Sequence, residues 1–167
     1  MYKLKSFSEL ETKENTLYIL DIDDTILYFP LLSIDEMKLI FVNEYKISNN
    51  YDIADSKANE YWYQHIKNNN TKSIEGTIIN DFLNSIPKTS KVIFLTARLE
   101  SEIELTINQL NIIGISGYEV YFDENKSEFI KKYNNLNYQN IIFVDDLLDN
   151  YIGCESITNL KFYLYEN

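Results

Sequence analysis

The stretch Leu17-Tyr-Ile-Leu-Asp21-Ile-Asp23-Asp24-Thr25 decides the fold, because an apolar run of four ends abruptly in three carboxylates and a hydroxyl. An uninterrupted apolar run bounded by charge is the pattern of a strand buried on both faces, as in parallel sheets covered by helices. Ligands of such sheets bind at the carboxyl ends of the strands, where Asp21, Asp23 and Thr25 emerge. By itself the stretch fits equally well a strand followed by an acidic turn, since Asp is a favoured turn and cap residue. The rest of the chain has to discriminate.

Working outward, the same kind of run recurs at Lys91-Val-Ile-Phe-Leu-Thr96 and at Asn140-Ile-Ile-Phe-Val-Asp145-Asp146, while Tyr118 to Phe122 alternates as a more peripheral strand and Leu160 to Tyr165 reads as a last one. Helical periodicity fills the intervals. Ser33-Ile-Asp-Glu36 has the form of a capping box and opens a helix to about Lys46 that Asn49-Asn50 ends. A second helix is expected from about Asp55 to Lys67. A third carries Ile74, Ile78, Phe82 and Ile86 and stops at Pro87. A fourth, from about Glu100 to Asn111, is expected to bury Ile103, Ile107 and Leu110, and a fifth starts at Lys126 with Phe129, Ile130 and Tyr133 inward.

Residues 2–16 are charged, with Phe7 and Leu10 three apart, which predicts a short amphipathic helix. Ile26 to Phe29, closed by Pro30, predicts a turn or flap. The polar run at 68–72 is linker-like but too short to separate domains. Strands alternating with helices predict an α/β protein, a three-layer Rossmann-like sandwich around a mainly parallel sheet, in one domain spanning 1–167.

Composition narrows the function. The 167 residues suffice for one unstapled core, and a net charge of -11 with a pI near 4.5 argues against a nucleic-acid or anionic-membrane partner engaged through a basic face. No apolar run is long enough to span a membrane, so no membrane insertion is expected. The single cysteine, Cys154, fits a reducing compartment and a packing role, and the start of the sequence lacks the apolar stretch of a secretory signal, so the expected location is cytoplasmic. His65, the only histidine, is expected at a helix interface; Tyr61 and Trp62 beside it are expected to pack their helix, with a substrate platform as the alternative.

Three strands thus end in reactive side chains, Asp21 with Asp23 and Thr25, then Thr96, then Asp145 with Asp146, and Lys126 opens a helix between the last two. Parallel strands would bring them to one edge. Carboxylates so clustered repel unless a cation lies among them, and oxygen ligands without His or Cys point to Mg²⁺, which favours phosphate substrates. Threonine donors and a lysine for phosphate oxygens, with a carboxylate nucleophile, complete what phosphoryl transfer needs.

Asp21-x-Asp23-x-Thr25, Thr96 after Val-Ile-Phe-Leu, Lys126, and Asp145-Asp146 followed by Asp149 resemble, in order and context, the four motifs of the haloacid dehalogenase-like (HAD) superfamily, over residues 17 to about 150. The resemblance implies a HAD-like phosphatase, a hydrolase working through an aspartyl-phosphate intermediate. Asp21 would be the nucleophile, Asp23 the acid and base, and Thr25 the support of Asp23. Thr96 would hydrogen-bond the phosphoryl group and Lys126 would neutralise it. Asp21, the Asp23 carbonyl and Asp145 or Asp146 would hold Mg²⁺; Asp145, Asp146, Asp149 and Asn150 together offer more oxygen ligands than one ion needs from the protein. Relatives that cleave carbon–halogen bonds, and the ion-pumping ATPases, lack an acid at the position of Asp23, so a phosphoester is the expected substrate. Arg98 has two readings, a contact to the phosphate or another substrate anion, or pairing with a nearby carboxylate such as Glu100 or Glu102.

In this superfamily substrate choice lies in insertions. Here only about 31–70 remains for one, a small helical cap of at most two helices. So small a lid resembles those of relatives acting on macromolecules, which gives a phosphoprotein, phosphotyrosine included, as one expected substrate and a small metabolite as the other. Two rivals are a phospho-accepting receiver, disfavoured because the double Asp comes after the lysine, and a non-catalytic HAD-like binding module, disfavoured because every expected side chain is present.

Overall fold

A computed structural model describes residues 1–67, 70–133 and 138–166. The protein is an α/β sandwich of the Rossmann-like, three-layer kind, with helices flanking a six-stranded sheet in the order β1-β8-β7-β2-β5-β6. The strands are β1 (Tyr2–Leu4), β2 (Thr16–Leu20), β5 (Lys91–Thr96), β6 (Glu119–Phe122), β7 (Asn140–Asp145) and β8 (Leu160–Tyr165). Every neighbouring pair is parallel.

The continuous apolar runs have the expected cause, because both faces of the central strands are covered. Leu17 and Ile19 of β2 point into a core with Ile93, Leu95, Ile141, Phe143, Phe162 and Cys154. Tyr18 points the other way, edge-on to Phe82 at 5.7 Å, and Phe7 lies there tilted against Phe82 and stacked on Tyr165.

β2 lies between β5 and β7, and from it the chain winds outward in both directions. That reversal is the switch point at which parallel sheets of this kind bind ligands, at the carboxyl end of β2. The registers Leu20↔Phe94 and Leu20↔Val144 align the three strand ends there.

The amino-terminal segment differs from expectation. Instead of an amphipathic helix it forms β1, paired with β8, and a 3₁₀ turn at Phe7–Glu9. Phe7 and Leu10 are buried as an amphipathic pair would be, but the ladder partner, β8, lies at the far end of the chain and leaves no local trace. Glu75 pins the turn by accepting from Ser6 Oγ, the Phe7 N–H and Tyr165 Oη at 2.7–2.8 Å.

Three helices accompany the sheet: α3 (Thr77–Ser85), α4 (Ile103–Ile112) and α5 (Lys126–Tyr133); a four-residue helix, α6 (Asp149–Ile152), had no sequence signal. Helix α3 buries Ile79, Phe82 and Leu83 and leaves Ile78 exposed. The expected stripe was counted from Ile74, which precedes the helix and donates its N–H to Ile26 O. Helix α5 seats Ile130 fully in the core, with Phe129 and Tyr133 against it.

Residues 29–72 form a second compact unit. Helices α1 (Ile34–Ser48) and α2 (Tyr51–Lys67) pack on each other. Ser33 Oγ caps α1 by accepting from the Glu36 N–H, and Asn49 ends it at φ 48°, a left-handed conformation that Asn tolerates. Helix α2 starts four residues earlier than expected, because Asn50 Oδ1 accepts from the Ile53 N–H and serves as its cap. Tyr61 Oη donates to Glu36 Oε2 at 2.8 Å and ties the helices together, while His65 lies over the Tyr61 ring with Nδ1 2.9 Å from Tyr61 O. Both residues therefore have packing roles. The chain leaves and re-enters the sheet unit through β3 (Leu27–Tyr28) and β4 (Lys72–Ser73), a two-stranded sheet where a turn or flap was expected. The first two residues of the linker-like run at 68–72 lie outside the described residues. Among the described residues no helix is long and apolar enough to cross a membrane.

Candidate active site

The carboxyl ends of β2 and β7 bring Asp21 and Asp145 side by side. The Asp21 N–H extends the ladder to Val144 O at 2.9 Å, so the two carboxylates leave adjacent strands at the same level. Both are buried, and so is Lys126 at the start of α5, whose ammonium sits between them, donating to Asp21 Oδ1 and, at 2.8 Å, to Asp145 Oδ2. Thr25 Oγ1 donates to Asp21 Oδ2 at 3.0 Å. The sequence reading gave Thr25 to Asp23, but the tight turn returns its hydroxyl to Asp21. Ile26 and Leu27 both donate to Ile22 O, and Asp24 closes the turn at φ 57° with its N–H on Leu27 O.

Asp145 is saturated. Oδ1 accepts from the Leu147 N–H at 2.8 Å and from Asn150 Nδ2 at 2.9 Å, and Oδ2 accepts from Lys126 and again from Asn150 at 3.0 Å. Together these contacts match the roughly four lone-pair positions of a carboxylate. Asn150 is therefore a donor to Asp145 through Nδ2. Asp146, next in the chain, accepts from its own backbone N–H. Asp21, Asp145 and Asp146 each offer a ligand oxygen within 4.8 Å of the others.

The electrostatics of this group are short of positive charge. Burial pushes the Asp21 carboxyl well above the usual range; Lys126 pulls it back, and Asp145 and Asp23 add to the rise. Burial opposes the charge on Lys126, but Asp21 and Asp145 together outweigh it and hold the amine above its ordinary value. Burial, Asp145 and Asp24 push Asp146 up to about 6. One ammonium among three carboxylates leaves the protonation of Asp21 and Asp146 favoured until a second cation arrives. An all-oxygen donor set with two incompletely paired carboxylates fits a hard divalent ion such as Mg²⁺.

Thr96 ends β5, buried, its Oγ1 accepting from the Arg98 N–H at 3.2 Å and its hydroxyl proton left to donate. Arg98 pairs with a carboxylate, that of Asp23. Its guanidinium meets Asp23 through two parallel bonds, Nε to Oδ2 at 2.9 Å and Nη2 to Oδ1 at 2.7 Å, and Nη1 donates to Thr106 Oγ1 and Gln109 Oε1 at 3.0 and 2.6 Å. The Arg98 side chain is fully buried and that of Asp23 is 23% exposed. Asp23 thus stands at the site on Arg98, outside the group of carboxylate ligand oxygens.

This contact explains a further departure from the sequence reading. Helix α4 buries Thr106, Gln109 and Leu110, and leaves Ile103 and Ile107 exposed. Turning an Ile outward forgoes about 1.5–3 kcal/mol of burial. Arg98, which the buried face of α4 receives, would otherwise leave unpaired N–H groups in the interior at a cost of comparable size. Thr106 and Gln109 were not anticipated; the signal available was two polar residues at inward spacing beside a Thr-x-Arg strand end. Glu102, at the 3₁₀ turn before α4, is buried with neither carboxylate oxygen hydrogen-bonded among the described residues.

A family model described as "Protein of unknown function (DUF2608)" matches residues 4–125. A search of curated proteins finds no match to the chain.

Proposed function

We propose that this chain, which belongs to the DUF2608 family, is a Mg²⁺-dependent phosphomonoester hydrolase, a HAD-like phosphatase working through an aspartyl-phosphate on Asp21. The observation that carries the reading is the Lys126 ammonium held between Asp21 and Asp145 at the ends of adjacent parallel strands, with Thr96 ending the strand on the other side of Asp21. A buried lysine among carboxylates is costly as a stabilising device, and it fits a site that receives a doubly charged phosphate.

In this reading Asp21 attacks phosphorus while Thr25 holds its other oxygen in line. Lys126, already within reach of Asp21, neutralises the non-bridging oxygens, and the free Thr96 hydroxyl proton adds a donor. Asp23 exchanges the protons of the reaction. Asp21, Asp146 and the Asp23 carbonyl would hold Mg²⁺, with Asp145 orienting Lys126. Bound there, the ion would offset the carboxylate charge and polarise phosphoryl oxygens. Substrates in view are accessible phosphomonoesters, on a phosphoprotein or a small metabolite. The acidic surface supports partners other than nucleic acid, and a cytoplasmic setting suits the lone buried thiol.

The test is hydrolysis of a generic aryl phosphate with and without Mg²⁺, in the native chain and in Asp21→Asn. The expected result is Mg²⁺-dependent turnover that Asp21→Asn abolishes with the fold intact. Activity retained by the variant would overturn the assignment. A stable phosphorylated Asp21 without turnover would favour the receiver alternative.

A further inference from the structure

The two-helix unit at 29–72 differs from the rest of the chain in charge and in surface. It carries five lysines against six carboxylates, a net charge of -1, so -10 of the chain's -11 lies on the sheet unit. About a quarter of the chain, it holds eight of the eighteen large apolar side chains that stand exposed among the described residues. Helix α1 has fifteen residues and buries none of them. A helix of that length draws its stability mainly from packing of an apolar face, and one side of α1 has that from α2. There Phe41 lies edge-on to Tyr51 at 5.2 Å and Glu36 accepts from Tyr61.

The side of α1 away from Glu36 and Phe41 carries Asp35, Leu39, Val42 and Lys46, all exposed, Leu39 by 58% and Val42 by 43%. Spaced four, three and four residues apart, they form a stripe about 60° wide on a helix of 3.6 residues per turn. Exposed Ile34 and Tyr45 flank it. The spacing reads the same from either end, and the charges at its two ends are opposite. Laid antiparallel on itself about a two-fold axis between Ile40 and Phe41, the stripe sets Leu39 against Val42 of a second copy and Asp35 against that copy's Lys46.

Acid in the first turn and base in the last suit the dipole of any helix. Here the two charges also share one stripe with the exposed apolar pair, while Glu36, the other acid of the first turn, is engaged by α2. A unit near neutrality can also meet its own copy without the repulsion that two sheet units of -10 would bring.

We propose that the outer face of α1 is a self-association surface, on which two copies of this chain pair through antiparallel α1 helices as a symmetric dimer. Such pairing holds whatever chemistry Asp21 performs. One helix face is at the small end of specific interfaces, so the dimer should dissociate on dilution.

Sedimentation velocity of the full chain over a concentration series tests this. The expected result is a species of twice the 19.8 kDa chain mass at high micromolar concentration, lost on dilution. Lys46→Glu sets acid against acid across the axis and Asp35→Lys sets base against base, so each variant alone should associate about tenfold more weakly or worse. An equimolar mixture of the two again brings opposite charges together and should restore the dimer. Leu39→Ser with Val42→Ser should abolish it, and circular dichroism checks the helical content of every variant. A native chain monomeric at every concentration would overturn the proposal; cosedimentation of that monomer with phosphatidylcholine vesicles would assign the stripe to a lipid surface instead. Dimers unchanged in the charge variants, or a mixture of folded variants that stays monomeric, would also overturn it. Should a charge variant not fold, the serine variant decides, and a dimer that survives in it would overturn the assignment of this face.

Discussion

Asn150 Nδ2 lies 2.9 and 3.0 Å from the two oxygens of Asp145, so the amide straddles the carboxylate that also receives Lys126. That arrangement spends Asp145 on the protein and leaves Asp146 to the solvent side. The two neighbouring aspartates should therefore respond differently to the same change. Asp146→Asn is expected to raise the Mg²⁺ concentration needed for half-maximal binding tenfold or more with little loss of stability, consistent with loss of one carboxylate ligand. Asp145→Asn should cost about 3–5 kcal/mol, because it leaves Lys126 half unpaired in the interior. Isothermal titration with Mg²⁺ and denaturant unfolding of both variants check this; equal effects on both would contradict it.

Lys126 itself is the larger stability test. Lys126→Met removes the ammonium held between two buried carboxylates and should destabilise by about 3–5 kcal/mol in the absence of divalent ions. Millimolar Mg²⁺ should recover part of the lost Tm, since a cation would then sit where the carboxylates lack one. Thermal unfolding with and without the ion gives the answer.

Asp146 also sets a pH dependence. Its carboxyl is raised to about 6 in the fold, against about 4 in an unfolded chain, so between those values the native state binds more protons. Its contribution is present in full below the unfolded value and is lost as pH rises through about 6. With solvent screening at this half-buried side chain, acidification from pH 7 to 5 should add about 1 kcal/mol without Mg²⁺. Saturating Mg²⁺ should flatten the trend, and Asp146→Asn should remove it.

Glu102 carries a buried carboxylate with no hydrogen-bond partner among the described residues. Removing an unpaired buried acceptor usually stabilises, so Glu102→Leu is expected to gain about 1–3 kcal/mol in urea unfolding. A loss of stability would mean that the carboxylate has a partner in solution.

How much of this was legible in the sequence follows the range of each interaction. β5 runs over the residues its apolar run marks, because a strand covered on both faces needs apolar side chains throughout. Asp21, Thr96, Lys126 and Asp145 could be picked out because each stands where such a run ends or a helix begins. The partner of Arg98 could not. Asp23 lies 75 positions away, and the inward turn of Thr106 and Gln109 follows only once that pair is made. Edge strand β1 was hidden for the same reason, its only ladder being to β8.

One close approach was also invisible without coordinates. A Cβ on Gly153, just after α6, would lie 2.5 Å from Ser127 Cβ and 2.2 Å from its Oγ on α5. Gly153→Ala should cost about 1–3 kcal/mol by overpacking, and Ser127→Gly should relieve it in the double variant. Since α5 begins with Lys126 and α6 holds Asn150, the same clash should loosen Lys126 from Asp145, visible as weaker Mg²⁺ protection against unfolding.

The Lys126 to Asp21 contact closes over 105 positions of chain. β2 takes both its neighbours, β5 and β7, from much later in the sequence, so its carboxylate end has no shelter while the chain folds locally. Contacts of such long range form late, after the entropy of closing the intervening loops has been met. The carboxylate edge of the sheet is accordingly among the last parts of the molecule to acquire order. In a refolding time course, helical signal should precede Mg²⁺ binding, and the lag between them should measure the docking of β7 against β2.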